Sequence, residues 1–219
     1  MKKFLRENGL SLTFAVLTLA TLAGQILVGW HEFNNELNEY GRLPLTLKEY
    51  LSSGHCIEGV FENWESEFLQ MGLYVVLTIW LFQKGSSESK PLDGPAPVDR
   101  EPSPTRPGAP WPVRQGGWVL KLYENSMGIA FFTMFALTFL FHAIGGVKAH
   151  NTEEALKGKS DILTLWEFMG TSEFWFQSLQ NWQSEFLSVL SIVVLSIFLR
   201  QKGSPESKPV DTANAEMED

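Results

Sequence analysis

The chain has little of what soluble enzymes commonly use to build a site. It holds one cysteine, Cys56, so no disulfide can form within it. Its four histidines, His31, His55, His142 and His150, lack the spacing of metal ligands, and we expect no metal. No P-loop, no GxSxG sequence and no dinucleotide-binding glycine pattern occurs. The sequence therefore favours a protein that is not an enzyme and that carries no cofactor.

A basic surface is also missing. The net charge is -8 at pH 7, whereas a nucleic-acid-binding protein needs a positively charged face. Nucleic acid is therefore excluded as a partner. The charge that is present lies between apolar runs, in a proline-rich middle and a polar tail.

Long apolar runs are abundant. Leu10–Trp30 and Met127–Val147 each hold 21 residues without a charge, enough to cross roughly 30 Å of hydrocarbon as a helix. Phe68–Phe82 and Phe186–Leu199 are shorter, and each follows an amphipathic stretch that extends it into a longer helix. We therefore predict an all-α integral membrane protein with four transmembrane helices. The lipid bilayer is its expected surroundings.

Two segments of the chain occur twice. Phe61–Leu69 returns 118 residues later as Leu179–Leu187, with Asn-Trp-x-Ser-Glu-Phe-Leu in common. Gln83–Pro91 returns at the same shift as Gln201–Pro209, with Gln-Lys-Gly-Ser-x-Glu-Ser-Lys-Pro in common. These blocks predict two tandem helix hairpins that run in the same direction through the membrane.

The repeats set the predicted domain boundaries. Residues 1–85 form the first two-helix repeat and residues 118–203 the second. Residues 86–117 hold 8 of the 11 prolines in the chain, and we predict that they form a disordered cytoplasmic linker. Residues 204–219 are predicted to be a disordered tail.

Lysine and arginine set the expected orientation. Twelve of the 17 lie in the N-terminus, the linker and the tail, and five in the two hairpin loops. Because positive residues favour the cytoplasmic side, we expect both termini inside and both hairpin loops outside. The first span follows Lys2, Lys3 and Arg6, as a signal peptide would, yet its second-repeat counterpart is internal, so we expect an uncleaved anchor.

Local patterns predict where helices begin and end. Asn8 and Asn125 each precede an apolar run and are expected N-caps. Gly85 and Gly203 follow a lysine at the ends of the second and fourth spans and are expected left-handed C-terminal residues. Thr46-x-x-Glu49 and Thr164-x-x-Glu167 match a capping box, so each outer loop should hold a short interfacial helix that begins at its threonine.

One strip of polar residues is a candidate functional site. On the second span, Glu58, Glu62 and Glu65 are expected on the polar side, opposite the apolar face, whereas Asn63, Glu67 and Gln70 form a strip beside that face. Ionisable groups at membrane depth are costly and usually face a bundle interior. We expect an intramembrane cluster, or alternatively a wet structural strip. Its members are Gln25, Asn63, Glu67, His142, Asn181 and Glu185.

The paired blocks, with Glu-Asn ahead of the first and third spans, resemble a family of small bacterial membrane proteins of unknown function. The resemblance covers both repeats. It implies a location in the bacterial inner (plasma) membrane and supplies no catalytic residues.

Three functions remain open from the sequence. The first is transport, permeation or sensing of a small solute or ion, through a homo-oligomer because four spans are few for a pore. The second is a membrane scaffold that presents linker and tail to partners. The third, an enzyme at the outer face, lacks a nucleophile paired with a base.

Overall fold

The protein is all helical. The computed structural model describes residues 2–160 and 162–216, and these contain no β-strand. Besides a 3-10 turn at Pro97–Asp99, the elements in chain order are α1 (Lys2–Glu39), α2 (Leu47–Tyr50), α3 (Gly54–Leu77), α4 (Trp111–Gln115), α5 (Gly117–Glu124), α6 (Ser126–Leu156), α7 (Leu165–Phe168) and α8 (Ser172–Phe198).

Three helices are long and apolar enough to cross a membrane, namely α1, α6 and α8. The sequence predicted four spans, and α3 differs from the others in composition, because it carries Glu58, Glu62, Glu65 and Glu67. Length is not what α3 lacks, since its 24 residues extend about 36 Å. The described chain fits a membrane protein with three apolar spans, and the fourth span stays a prediction.

The side chains of the two asparagines do not cap the long helices. Asn8 lies inside α1, where its Nδ2 donates to Phe4 O at 2.9 Å. Asn125 directly precedes α6, yet its Nδ2 donates to Lys121 O at 2.8 Å and closes α5 instead. The prediction was therefore wrong for Asn8, whereas Asn125 does stand at the N-terminal boundary of α6, where its backbone oxygen accepts from Ile129 N–H at 3.0 Å while its side chain bonds back to α5. For Asn8 the reason is that α1 begins earlier, through charged residues that are themselves good helix formers.

Gly85 and Gly203 have the expected left-handed backbone, with φ of 82° and 87°. They do not end the helices, because α3 ends at Leu77 and α8 at Phe198. Each glycine instead lies in a turn that a serine side chain holds. Ser89 Oγ accepts from Gln83 N–H, and Ser207 Oγ accepts from Gln201 N–H, both at 2.9 Å.

Contacts divide the chain into two compact units. Unit 1 comprises Met1–Trp64 and Thr138–Gln177, and unit 2 comprises Glu65–Leu137 and Ser178–Asp219. Each unit takes residues from both predicted repeats. The unit boundaries therefore fall within α3, α6 and α8, away from the predicted domain boundaries.

The short helices of unit 1 begin with capping boxes. Thr46 Oγ1 accepts from Glu49 N–H, while Glu49 Oε2 accepts from Thr46 N–H at 2.8 Å. Thr164 and Glu167 repeat both bonds at the start of α7. Hydrogen bonds from the threonine side chain and backbone hold the pKa of each glutamate below its ordinary value.

Each short helix ends on an aromatic residue that packs into the core. Tyr50 lies in a cluster with Phe33, Leu37 and Cys56. Phe168, which is fully buried, lies with Ala143 and Phe174 in another cluster. The two hairpin loops are thus anchored to the long helices by apolar burial, which is the principal stabilising term in such contacts.

An asparagine fastens each hairpin loop to the preceding long helix. Asn34 Oδ1 accepts from Leu45 N–H at 2.7 Å, and its Nδ2 donates to Leu45 O at 3.0 Å. Asn151 makes the same two bonds with Leu163, at 2.8 and 2.9 Å. The same loop geometry therefore occurs in both halves of the chain.

The segments predicted to be disordered contain defined contacts. In the linker, Lys90 Nζ pairs with Asp99 at 2.8 Å. In the tail, Lys208 is 1% exposed, and its Nζ donates to the backbone oxygens of Ala213, Asn214 and Glu216 at 3.0 to 3.3 Å. These contacts give the two segments local order, while their mobility stays a prediction.

Candidate functional site

A buried histidine and a glutamate are joined through one glutamine in unit 1. His142 on α6 is fully buried, and its Nε2 lies 3.2 Å from Gln177 Oε1 on α8. Gln177 Nε2 donates to Glu58 Oε1 on α3 at 2.9 Å. Because an amide oxygen only accepts, His142 must carry its proton on Nε2. Three helices thus converge on one hydrogen-bonded chain, which we call the His–Gln–Glu chain.

Glycines let α3 approach α6 closely at this chain. A Cβ on Gly145 would overlap the backbone nitrogen of Glu58, and one on Gly146 would overlap the Phe168 ring and lie 3.2 Å from Glu58 Oε1. Small residues allow helix backbones in membranes to come near one another. The Gly145-Gly146 pair therefore places the Glu58 carboxylate against α6.

An aromatic ring covers the histidine. Phe174 stacks on His142 with ring centroids 4.9 Å apart and an interplanar angle of 29°. Phe174 is itself fully buried. The ring shields His142 from solvent on that side and fixes its orientation toward Gln177.

Gln25 occupies the place in α1 that His142 occupies in α6. Its Nε2 donates to Gly59 O on α3 at 2.6 Å, and Asn63 Nδ2 donates to the same oxygen at 3.0 Å. Gly59 corresponds in the repeat to Gln177. Both halves thus join corresponding positions on their two long helices. Only the second half has a titratable side chain, His142, at the position that Gln25 occupies in the first.

A cavity of about 230 Å³ lies beside Gln25, with Glu32, Tyr50, His55 and Cys56 in its wall. Tyr50 Oη and His55 Nδ1 are 3.0 Å apart. Burial raises the pKa of Tyr50 to about 12, and repulsion from Cys56 and Glu32 adds to this effect. The phenol therefore keeps its proton at neutral pH and can donate a hydrogen bond to Nδ1 of His55.

The glutamates of unit 2 differ from expectation. Glu67 is exposed, so its predicted inward orientation was wrong. Glu65, which was expected on the polar face, is fully buried and its Oε1 accepts from Trp182 Nε1 at 3.1 Å. Asn181 and Glu185 are half-buried.

Gln70, a residue of the predicted strip, joins α3 to α8. Its Nε2 donates to Glu185 O at 2.8 Å and lies 2.7 Å from Ser188 Oγ. The side chain is largely buried. This contact fixes α3 to α8 through the backbone of Glu185, whose carboxylate does not take part in either bond.

The structure divides the predicted cluster between the units. Gln25, Asn63 and His142 belong to unit 1, whereas Glu67, Asn181 and Glu185 belong to unit 2. The sequence missed Glu58 and Gln177, because it favoured residues that recur in both repeats, and these two recur as Phe176 and Gly59. Both residues could have been found by searching for polar residues that are present in one repeat and absent from the other.

In the described residues, no group of three or more His, Cys, Asp or Glu side chains could hold a metal ion. The model of a family described as a domain of unknown function (DUF6766) matches residues 1–219. Comparisons with curated proteins and with solved structures give no match.

Proposed function

Because the chain belongs to this family, whose description assigns no activity, we propose its function from the structure: a four-span membrane protein that lets a small cation, the proton being the simplest, pass through an oligomer. The observation that carries the proposal is the His–Gln–Glu chain. Intramembrane ionisable residues commonly mark ion pathways and proton relays.

The fourth span in this proposal is α3. Of its four glutamates, Glu65 is fully buried, and Glu58 is hydrogen bonded to Gln177. Partnered carboxylates cost much less to bury than isolated ones. A helix about 36 Å long with these groups turned to other helices can cross the hydrocarbon region.

Two parallel repeats support the topology. Both halves carry a capping box, an asparagine clamp on the loop and a serine-held turn with a left-handed glycine. With the positive residues inside, both termini and the linker are cytoplasmic, in the inner membrane of a bacterium. Four spans per subunit are few for a pathway, so we propose a homo-oligomer.

The chemistry of the site suits a proton. A neutral histidine can accept a proton near neutral pH, and the Glu58 carboxylate can accept one as well. The amide of Gln177 has an NH2 group that donates and a carbonyl oxygen that accepts, and it bonds to both groups, so its orientation depends on their protonation. Protonation of His142 or Glu58 would therefore change the hydrogen bonding of the other.

Proton flux in proteoliposomes tests this function. Wild-type protein should discharge an imposed pH gradient, whereas His142→Gln and Glu58→Gln should lose most of that flux. His142→Gln copies Gln25 of the other repeat, and Glu58→Gln keeps an oxygen for Gln177, so both retain hydrogen bonding and lose titration. Glu39→Gln, an exposed carboxylate on α1, is the matched control.

Two results would overturn the proposal. One is wild-type flux from a folded Glu58→Gln and His142→Gln double variant. The other is a wild-type protein that leaves proton and alkali-cation gradients intact. That result would favour the scaffold function, for which the exposed linker at residues 100–108 offers a binding surface.

A further inference from the structure

A long apolar groove runs between α3 and α8 in unit 2, away from the His–Gln–Glu chain. Its volume is about 510 Å³, within the range of small-molecule sites. Leu73 and Leu77 form one wall, and Val189, Leu190 and Val193 form the other. Most of its lining is apolar, so it suits a hydrocarbon chain.

One end of the groove is acidic. Tyr74 Oη donates to Glu88 Oε2, and Ser87 Oγ donates to Glu88 Oε1 at 3.3 Å. Ser87 Oγ also lies 3.1 Å from Glu206 O, which brings the second turn motif beside the first. Both Glu88 and Glu206 lack an ion-pair partner among the described residues, and a carboxylate can accept about four hydrogen bonds.

We propose that this groove binds a phospholipid with a primary ammonium in its head group. One acyl chain lies between α3 and α8, and the ammonium donates to Glu88. With α3 as the proposed fourth span, on which this inference rests, both walls belong to helices in hydrocarbon, where an acyl chain is the available apolar occupant. The unpaired negative charge selects an ammonium over an anionic head, and the exposed Lys84, next to Gln83 in the groove wall, can receive the phosphate.

Lipid retention by the full chain tests the assignment. The protein is placed in bilayers with equal phosphatidylethanolamine and phosphatidylglycerol, extracted gently, and weighed intact by native mass spectrometry. We expect one retained phosphatidylethanolamine per chain. Glu88→Gln should lower the retention ratio of the two lipids by about fivefold, the effect of one partly exposed charged contact.

A second variant separates the groove from the charge. Leu190→Trp fills the groove and should abolish retention of either lipid. Leu17→Trp, on an exposed apolar position of α1, and Glu101→Gln, in the exposed linker, are the matched controls and should retain the wild-type lipid. Circular dichroism of each variant establishes that it is folded.

Three outcomes would overturn the proposal. They are equal retention of both lipids by the wild type, an unchanged ratio in Glu88→Gln, and wild-type retention in Leu190→Trp. If Glu88→Gln does not fold, Tyr74→Phe is measured in its place. This variant leaves the Glu88 carboxylate with one fewer internal donor, so the preference for the ammonium head should persist. Loss of that preference would contradict the assignment.

Discussion

At the scale of single residues, Glu65 is buried although the helical periodicity of the sequence places it on the polar face. Its side chain is fully buried in unit 2 and accepts a hydrogen bond from the Trp182 indole. Removing the acceptor while the donor remains costs about 1–3 kcal/mol in a buried site. We expect Glu65→Leu to destabilise the protein by about this amount, and Glu65→Gln, which keeps an acceptor, to cost less.

Thermal unfolding in detergent, followed by circular dichroism, measures both changes. Glu67→Gln is the control, because Glu67 lies two residues away and is exposed. Equal unfolding temperatures for the wild type and Glu65→Leu would show that the contact with Trp182 contributes no stability.

The capping glutamates predict a dependence on pH. The pKa values of Glu49 and Glu167 are lowered in the folded state by hydrogen bonds from Thr46 and Thr164. A lowered folded pKa gives stability that is present above the unfolded value, about 4.3, and is lost as pH falls through the folded value. The double variant Glu49→Gln with Glu167→Gln should be less stable than the wild type at pH 7, and the difference should shrink below pH 4.

Unfolding temperatures across this pH range test the prediction, with Glu101→Gln as the exposed control. A difference between wild type and double variant that stays constant from pH 7 to pH 3 would contradict it.

At the scale of the helix, the close approach of α3 to α6 depends on Gly145. Alanine normally stabilises a helix interior by about 1 kcal/mol relative to glycine. At Gly145 the added methyl would overlap the backbone of Glu58, so Gly145→Ala should destabilise the protein despite that gain. At Gly24 on α1 an added Cβ would meet no atom within 4 Å apart from its chain neighbours and the backbone of its own helix, so Gly24→Ala should be neutral or stabilising in the monomer.

The two alanine variants form a matched pair, and their unfolding temperatures should move in opposite directions. If Gly145→Ala raises the unfolding temperature as much as Gly24→Ala does, the close approach is not essential.

Some elements could be predicted from sequence and others could not. The short helices carry their own start signal, because Thr46 and Glu49 bond to each other locally. The burial of Glu65 could not be read from periodicity, which assumes that a helix packs on one face, whereas α3 also meets Trp182. The His–Gln–Glu chain depends on long-range packing of α3, α6 and α8, and no local pattern records which polar groups meet.

At the scale of the whole molecule, the topology can be measured with added cysteines. Cys56 is buried, so it should give little background labelling. We expect Lys159→Cys, in the second hairpin loop, to react with an impermeant reagent in intact spheroplasts. Ser103→Cys, in the linker, should react only after lysis, because the positive residues place the linker inside. Labelling of Ser103→Cys before lysis would reverse the orientation.

The bonds of Lys208 close a loop within the tail. Its ammonium is almost fully buried and donates to three backbone oxygens between residues 213 and 216. A chain shortened at Val210 would lose these acceptors and leave a buried positive charge poorly compensated, which is costly. Trimming by a carboxypeptidase should therefore slow when it reaches this loop, and a detection tag is better joined beyond it than in its place.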